Sequence, residues 1–202
     1  MNNCIFANKC TKYICDNSCP TFIESDYLLS RNNLSVQSKV FNSSARQIAA
    51  YNEFLDRHSA GLAVITTSAS ISVSQLLTYV AICKHWKGNR LHCSVYHLKF
   101  AAYLEAIQRS YTVKTLPEDF EYQEIWLKTA KILIISGLDF VNFKDFPAQT
   151  LLNLVHERTA NNLLTVVVSP PIRNLLGDTS ALGFFTKLTS VLSDNIDTEV
   201  HV

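Results

Sequence analysis

The chain has 202 residues, 48% of them hydrophobic and 17% charged, with a formal net charge of +1. That balance excludes a disordered chain and fits one ordinary domain with a real core plus a small appendage. The near-neutral total does not imply a broad basic face for gripping a phosphate backbone, though it leaves room for a local patch, and no apolar run reaches the roughly 18–20 residues of a membrane span.

The opening stretch MNNCIFANKC is polar and lacks the charged-then-apolar pattern of a signal peptide, so the expected location is cytoplasmic. Thiols stay reduced there, and clustered cysteines suggest a metal before disulfides. Cys4, Cys10, Cys15 and Cys19 follow the spacing C-x5-C-x4-C-x3-C. Four thiolates within sixteen residues can close a tetrahedron around Zn2+, which would supply folding energy that so short a segment lacks. Free thiols in a tail and an iron–sulfur cluster are the alternatives. Asp26, Tyr27, Leu28 and Leu29 suggest a short helix capping this segment, with a separate binding motif as the alternative.

Residues 25–58 are polar and end in a predicted helix at 45–57. From residue 59 onward strands and helices alternate. GLAVITT (61–67) reads as a buried strand, 72–86 as a helix, RLHCSVYHL (90–98) as a second strand and 99–111 as a helix. A polar connector with a short helix leads to AKILIISGL (130–138), the strongest strand signal. Residues 146–161 read as a helix, LLTVVVSPP (163–171) as a strand stopped by prolines, 180–194 as a helix and TEVHV (198–202) as a last strand. Continuous apolarity in 132–135 and 165–168 marks strands covered on both faces. The expected fold class is α/β, a three-layer sandwich on a parallel sheet, with a small cysteine module at 1–44 and the sandwich at 45–202.

The order of segments over about residues 45–202 resembles the AAA+ module of primosomal replicative-helicase loaders of the DnaC/DnaI type. The resemblance rests on GLAVITTSASISVSQLL, RLHCSVYHLKFAAYLEAI, KILIISGLDF, LLNLVHERTANNLLTVVVSPP and LGFFTKLTSVL. It implies a P-loop NTPase-like fold, an N-terminal zinc-binding region that docks on protein, and contact with a replicative helicase or another AAA+ protein. A phage or mobile element is a natural carrier for such a protein.

The catalytic positions depart from the family one by one. A Walker A loop, GxxxxGKS/T, needs glycines for close backbone approach, a lysine for phosphate charge and a hydroxyl for Mg2+. The matching residues are Thr66, Ile71, Ser72 and Val73. Ser136 and Gly137 stand where the two Walker B acids belong, with Asp139 two to three residues late. Ser169 keeps a polar sensor position, and Lys187 replaces the arginine of the lid. The chain stops at Val202, about where the family continues to its last arginine.

These departures imply a non-catalytic scaffold that keeps protein contacts, with no nucleotide cofactor. Arg158, in the helix-to-strand turn, is a candidate for presentation to a neighbour's nucleotide or simply a surface residue favoured by the helix dipole. Lys187 is a second partner-binding candidate. Lys84, Trp86, Lys87 and Arg90, in CKHWKGNR, combine charge with an aromatic and are candidates for contact with single-stranded DNA. They also fit a plain helix-to-strand corner. Phe120, Tyr122 and Trp126 are read as covering a sheet edge, with ligand binding as the alternative. His92 and His97 flank Cys93 without an orienting third group, and Cys83 and Cys93 read as core. The expected function is a replication accessory or regulator acting as a hetero- or homo-oligomer. The alternatives are a weak ATPase with a non-standard loop and a single-stranded DNA-binding module.

Overall fold

The computed structural model describes residues 4–6, 19–34, 44–86, 94–112, 118–141, 145–170 and 196–201. Its elements are α1 (Pro20–Arg31), α2 (Ala45–Arg57), β1 (Gly61–Thr66), α3 (Ser70–His85), β2 (Val95–Lys99) and α4 (Phe100–Ser110). They continue with α5 (Glu118–Thr129), β3 (Ile132–Ser136), a 3-10 turn (Leu138–Phe140), α6 (Asp145–Ala160), β4 (Leu164–Ser169) and β5 (Ile196–His201). The five strands form one sheet in the order β2-β3-β4-β1-β5, and every pairing is parallel. No described helix is long and apolar enough to cross a membrane.

Strand alternation sorts the apolar residues into two layers. Ala63, Ile65, Val95, Ile132, Ile134, Val166 and Val168 face α1, α2 and α3. Leu62, Tyr96, Leu98, Leu133, Ile135 and Val167 face α4, α5 and α6. Both faces are therefore covered, which explains why the central strands read as unbroken apolar runs. The first layer also takes in Cys4, Phe6, Leu28, Leu29 and Leu34, so residues from both sides of position 44 meet in one core.

Local chemistry sets the helix ends. Ser44 and Gln47 form a reciprocal capping box at α2, which starts and stops where the sequence predicts. Pro20 occupies the first position of α1, where a missing N–H costs nothing. The helices α1 and α6 both end in Schellman motifs. Asn33 and Asn162 take the left-handed conformation, and Leu34 and Leu163 donate back to Leu29 and Arg158.

The sequence is read short in two places. The helix α1 is twelve residues long and lies against the outer edge of β2, where the expectation is a short cap on the cysteine segment. Arg31 Nη2 donates to Val95 O (3.0 Å) and His97 N donates to Asn32 Oδ1 (2.8 Å). These two groups of β2 point out of the sheet, so α1 satisfies an edge that would otherwise invite pairing. The helix α5 is also twelve residues long, in place of most of a polar connector. The predicted helix at 180–194 lies outside the described residues.

Arg158 corrects both sequence readings of that residue. It is completely buried. Its Nε donates to Thr165 Oγ1 (2.9 Å), Nη1 to Leu127 O (2.7 Å), and Nη2 to Ala130 O and Leu164 O (both 2.8 Å). Burial pulls its pKa down to about 10, so it stays charged at neutral pH. No partner can reach it, and it works as an internal clamp on α5, α6 and β4. Arg158→Met should lower stability by about 3–5 kcal/mol in urea unfolding, because several buried acceptors lose their donors together. Arg158→Lys should recover only part of that, since one ammonium cannot span the fork. A loss under about 1 kcal/mol for the Met variant would remove the clamp from the account.

Candidate functional site

In a doubly wound parallel sheet the natural ligand crevice lies at the carboxyl ends of the strands, where the chain reverses its direction of progress. Here that point lies between β1 and β4. The strand β1 ends at Thr66, the loop is only Thr67–Ala69, and α3 starts at Ser70. Thr67 N donates to Ser169 O (2.9 Å), which carries the β1–β4 ladder out to the mouth of the crevice. Ala69 N turns inward to Thr67 Oγ1 (3.2 Å). None of Thr67, Ser68 and Ala69 has a positive φ, so this loop lacks the left-handed turns that wrap a phosphate in backbone N–H groups. Ile71 and Ser72 are exposed in the first turn of α3, and Ser74 Oγ donates to Ile71 O (2.8 Å).

The Walker B position is occupied by a different kind of chemistry. Ser136 is buried at the end of β3, and Gly137 follows with φ 77°. Asp139 sits beyond it, exposed on the 3-10 turn. His97 Nε2 lies 2.8 Å from Ser136 Oγ, and His97 Nδ1 lies 3.2 Å from Asn32 O. A carbonyl only accepts, so Nδ1 carries the proton and Nε2 accepts from the serine hydroxyl. Burial pulls the His97 pKa down to about 4, so the ring is neutral at pH 7. The order serine–histidine–acceptor is that of a nucleophilic relay, but Ser136 is only 3% exposed. The chain of bonds fastens α1 to β2 and β2 to β3. Thirty-nine residues separate His97 from Ser136. The only sequence sign of the pair is a polar residue inside each of two apolar strands.

The remaining candidates are dispersed. Ser169 Oγ donates to Pro170 O (3.0 Å), so the sensor hydroxyl is also engaged locally. Lys84 Nζ is held by Asn52 O (2.8 Å) and Asp56 Oδ1 (2.6 Å), and Trp86 stacks on Phe6 with ring centres 4.1 Å apart. The two described members of the expected DNA-contact patch are thus committed to packing, because α2 and residues 4–6 lie against the end of α3. Lys87, Arg90, His92, Cys93 and Lys187 lie outside the described residues, as do Cys10 and Cys15. Cys4 and Cys19 are buried, with Cys4 Sγ 3.8 Å from Thr21 O. No group of three or more metal-ligating side chains occurs among the described residues. Trp126 and Tyr122 do lie along the β2 edge, with Arg31 stacked 4.2 Å above the Trp126 ring.

The chain matches no known family and no curated protein in sequence. Solved structures resemble it in fold. A DNA replication initiation factor superposes with a TM-score of 0.53 at 12% identity, over 76% of this chain and 44% of its own. AMPPCP-bound DnaA from Aquifex aeolicus gives 0.50 at 11% identity, over 79% and 47%. The fold is AAA+-like. This chain spans less than half the length of either structure, and at such identities the likeness concerns the fold alone.

The His97 ring sets a pH dependence whose sign follows from its environment. Its folded pKa, about 4, lies below the ordinary 6.5, so the unfolded chain takes up the proton first as pH falls. Its contribution is complete above pH 6.5 and is lost progressively down to about pH 4, by roughly 3 kcal/mol in total. Urea midpoints measured across that window should fall in the unmodified chain, with a shallower slope in His97→Gln. Equal slopes would show that His97 is not the group responsible.

Proposed function

We propose that the protein is a non-catalytic replication accessory, related in architecture to the helicase loaders, that binds a replicative helicase or an AAA+ ATPase. The observation that carries this reading is the spent state of the phosphate frame. The three-residue loop directs Thr67 and Ala69 inward, and the Walker B place holds a serine bound to His97. Phosphoryl transfer is catalysed almost wholly by positioned charge, and no lysine or carboxylate stands at these positions. A scaffold of this shape can occupy one place in an AAA+ assembly without turning over nucleotide. The likeness to a replication initiation factor and to DnaA supports the process, and it leaves the partner to the experiment.

The test has two arms. Purified protein with Mg2+ and ATP should show no hydrolysis, and any nucleotide binding should be indifferent to Ser72→Ala. Gel filtration with a purified replicative helicase or AAA+ initiator should give a joint peak. Turnover of ATP, or micromolar binding abolished by Ser72→Ala, would establish the weak-ATPase alternative.

Zinc at Cys4, Cys10, Cys15 and Cys19 belongs to the same proposal, as the core of a docking element. It is favoured by the convergence of the first and last of these cysteines on one end of α1. Cys19 caps that helix, Cys4 Sγ meets Thr21 O, and Ile5 N donates to Ser25 Oγ at 3.2 Å. When bound, zinc would cross-link this segment and add folding energy. Metal analysis should return about one zinc per chain, and chelation should lower the thermal midpoint. A ratio near zero with all four thiols titratable would remove the metal.

A further inference from the structure

A cleft of about 800 Å3 opens beside the β2 edge, well away from the β1–β4 crevice in strand order. Its walls come from α1, β2, α4 and α5. Tyr27, Tyr96, Tyr103, Tyr122 and Trp126 supply aromatic surface, and Arg31 and Lys99 supply positive charge. The volume falls in the range of ligand pockets, roughly 300–1,000 Å3.

Among the described residues the charge lining this cleft is of one sign, with no aspartate or glutamate. Glu124, beside the lining residue Gln123, is engaged by the Tyr103 hydroxyl at 2.6 Å. His97 also lines the cleft and stays neutral in the interior, as described above. Two cations beside aromatic rings suit a ligand that is planar at one end and anionic at the other.

The cations and rings are also arranged differently. The Arg31 guanidinium is immobilised, 4.2 Å above Trp126 and 5.5 Å from the Tyr27 ring centre, with Nη2 donating to Val95 O. That position gives the cleft a fixed positive field without the entropy cost of ordering a free side chain. Lys99 is exposed at the carboxyl end of β2 and takes part in no ion pair among the described residues. Tyr122 is 63% exposed and Tyr27 44%, so ring surface is open to solvent at the mouth. Exposed tyrosines beside cations are the elements of a base-stacking platform with phosphate contact.

We infer that the cleft between α1, β2, α4 and α5 binds a nucleobase carrying a phosphate, stacked on Tyr122 or Tyr27 with its charge toward Lys99 and Arg31. The source is either a free nucleotide or a single strand. This site is independent of the phosphate frame, so it needs neither Mg2+ nor Ser72. It leaves the non-catalytic reading intact.

The chain has two tryptophans, and Trp126 lies in the cleft. Its fluorescence in a Trp86→Phe variant therefore reports on the cleft directly, with calorimetry on the unmodified chain as a control for that substitution. AMP and a short oligothymidylate should each be titrated without Mg2+ at low salt. Binding in the micromolar range is expected for at least one, weakening as salt rises. Tyr122→Ala and Lys99→Glu, both at exposed positions, should each weaken it about tenfold or more. Response to the oligonucleotide alone assigns the site to a strand, and equal response to AMP assigns it to a free nucleotide. No response to either ligand up to millimolar, or binding unchanged in both variants, overturns the inference. Loss of binding in Ser72→Ala with both cleft variants intact would overturn the cleft and the non-catalytic reading together.

Discussion

A guanidinium with no exposure to water holds the lower half of this fold together. Arg158 has no carboxylate partner among the described residues. It is neutralised by dipoles instead: the carbonyls of Leu127 and Ala130 at the end of α5, that of Leu164 at the start of β4, and the Thr165 hydroxyl. Helix ends and strand starts leave carbonyls that the backbone does not satisfy, and a cation near them is favoured by the helix dipole. One planar fork meets several of these needs at once, which an ammonium could not. The connection from α5 to β3 can then be short, with Ala130 buried. Leu127, Ala130 and Leu154 enter the layer over Leu133 and Val167 as a consequence.

The cleft depends on that clamp. Once Leu127 and Ala130 are anchored, the preceding turns of α5 lie along β2 and α4. There Tyr103 donates to Glu124 and stacks near Phe120. Trp126 then underlies Arg31, which reaches across from α1. The other wall is set by the α1 terminus. Its Schellman turn places Asn32 between Leu28 O and the His97 backbone, through Nδ2 and Oδ1 respectively. From Asn32 the bonds continue through the His97 ring to Ser136. The polar groups at the end of β3 are thereby used to attach a helix to a sheet edge. In a working P-loop ATPase an acid stands at that place to hold the metal.

The sequence made the sheet legible because its central strands have no wet face. β1, β3 and β4 appear within a residue or two of their predicted limits, and α2 matches throughout. Residues that depend on distant partners were hidden. Arg158 in the last turn of a helix looks like a surface residue until three separate carbonyl sites are known to converge on it. His97 lacked an orienting group in the sequence because Asn32 and Ser136 lie 65 and 39 residues away. Lys84 and Trp86 read as an available charged and aromatic patch until α2 and Phe6 were seen to cover them. The helix α5 hid for another reason. It meets α6 through one face and borders the cleft with another, so its apolar residues do not form one stripe.

The contrast between the two ends of the sheet bears on what such a fold can still do. At the β1–β4 reversal, Thr67 N, Ala69 N and the hydroxyl of Ser169 are consumed internally, and a phosphate could use these three donors only by displacing existing hydrogen bonds. Each displacement exchanges one bond for another and yields little net energy. At the β2 edge the balance is reversed. The outward groups of Val95 and His97 are already satisfied by α1, and the remaining cation, Lys99, faces solvent beside open aromatic rings. An anion placed there gains attraction without breaking structure. The same α/β frame therefore has three polar groups already engaged at the β1–β4 reversal and an exposed cation beside open rings at its sheltered edge strand. That difference makes the edge the place to look for whatever this protein holds.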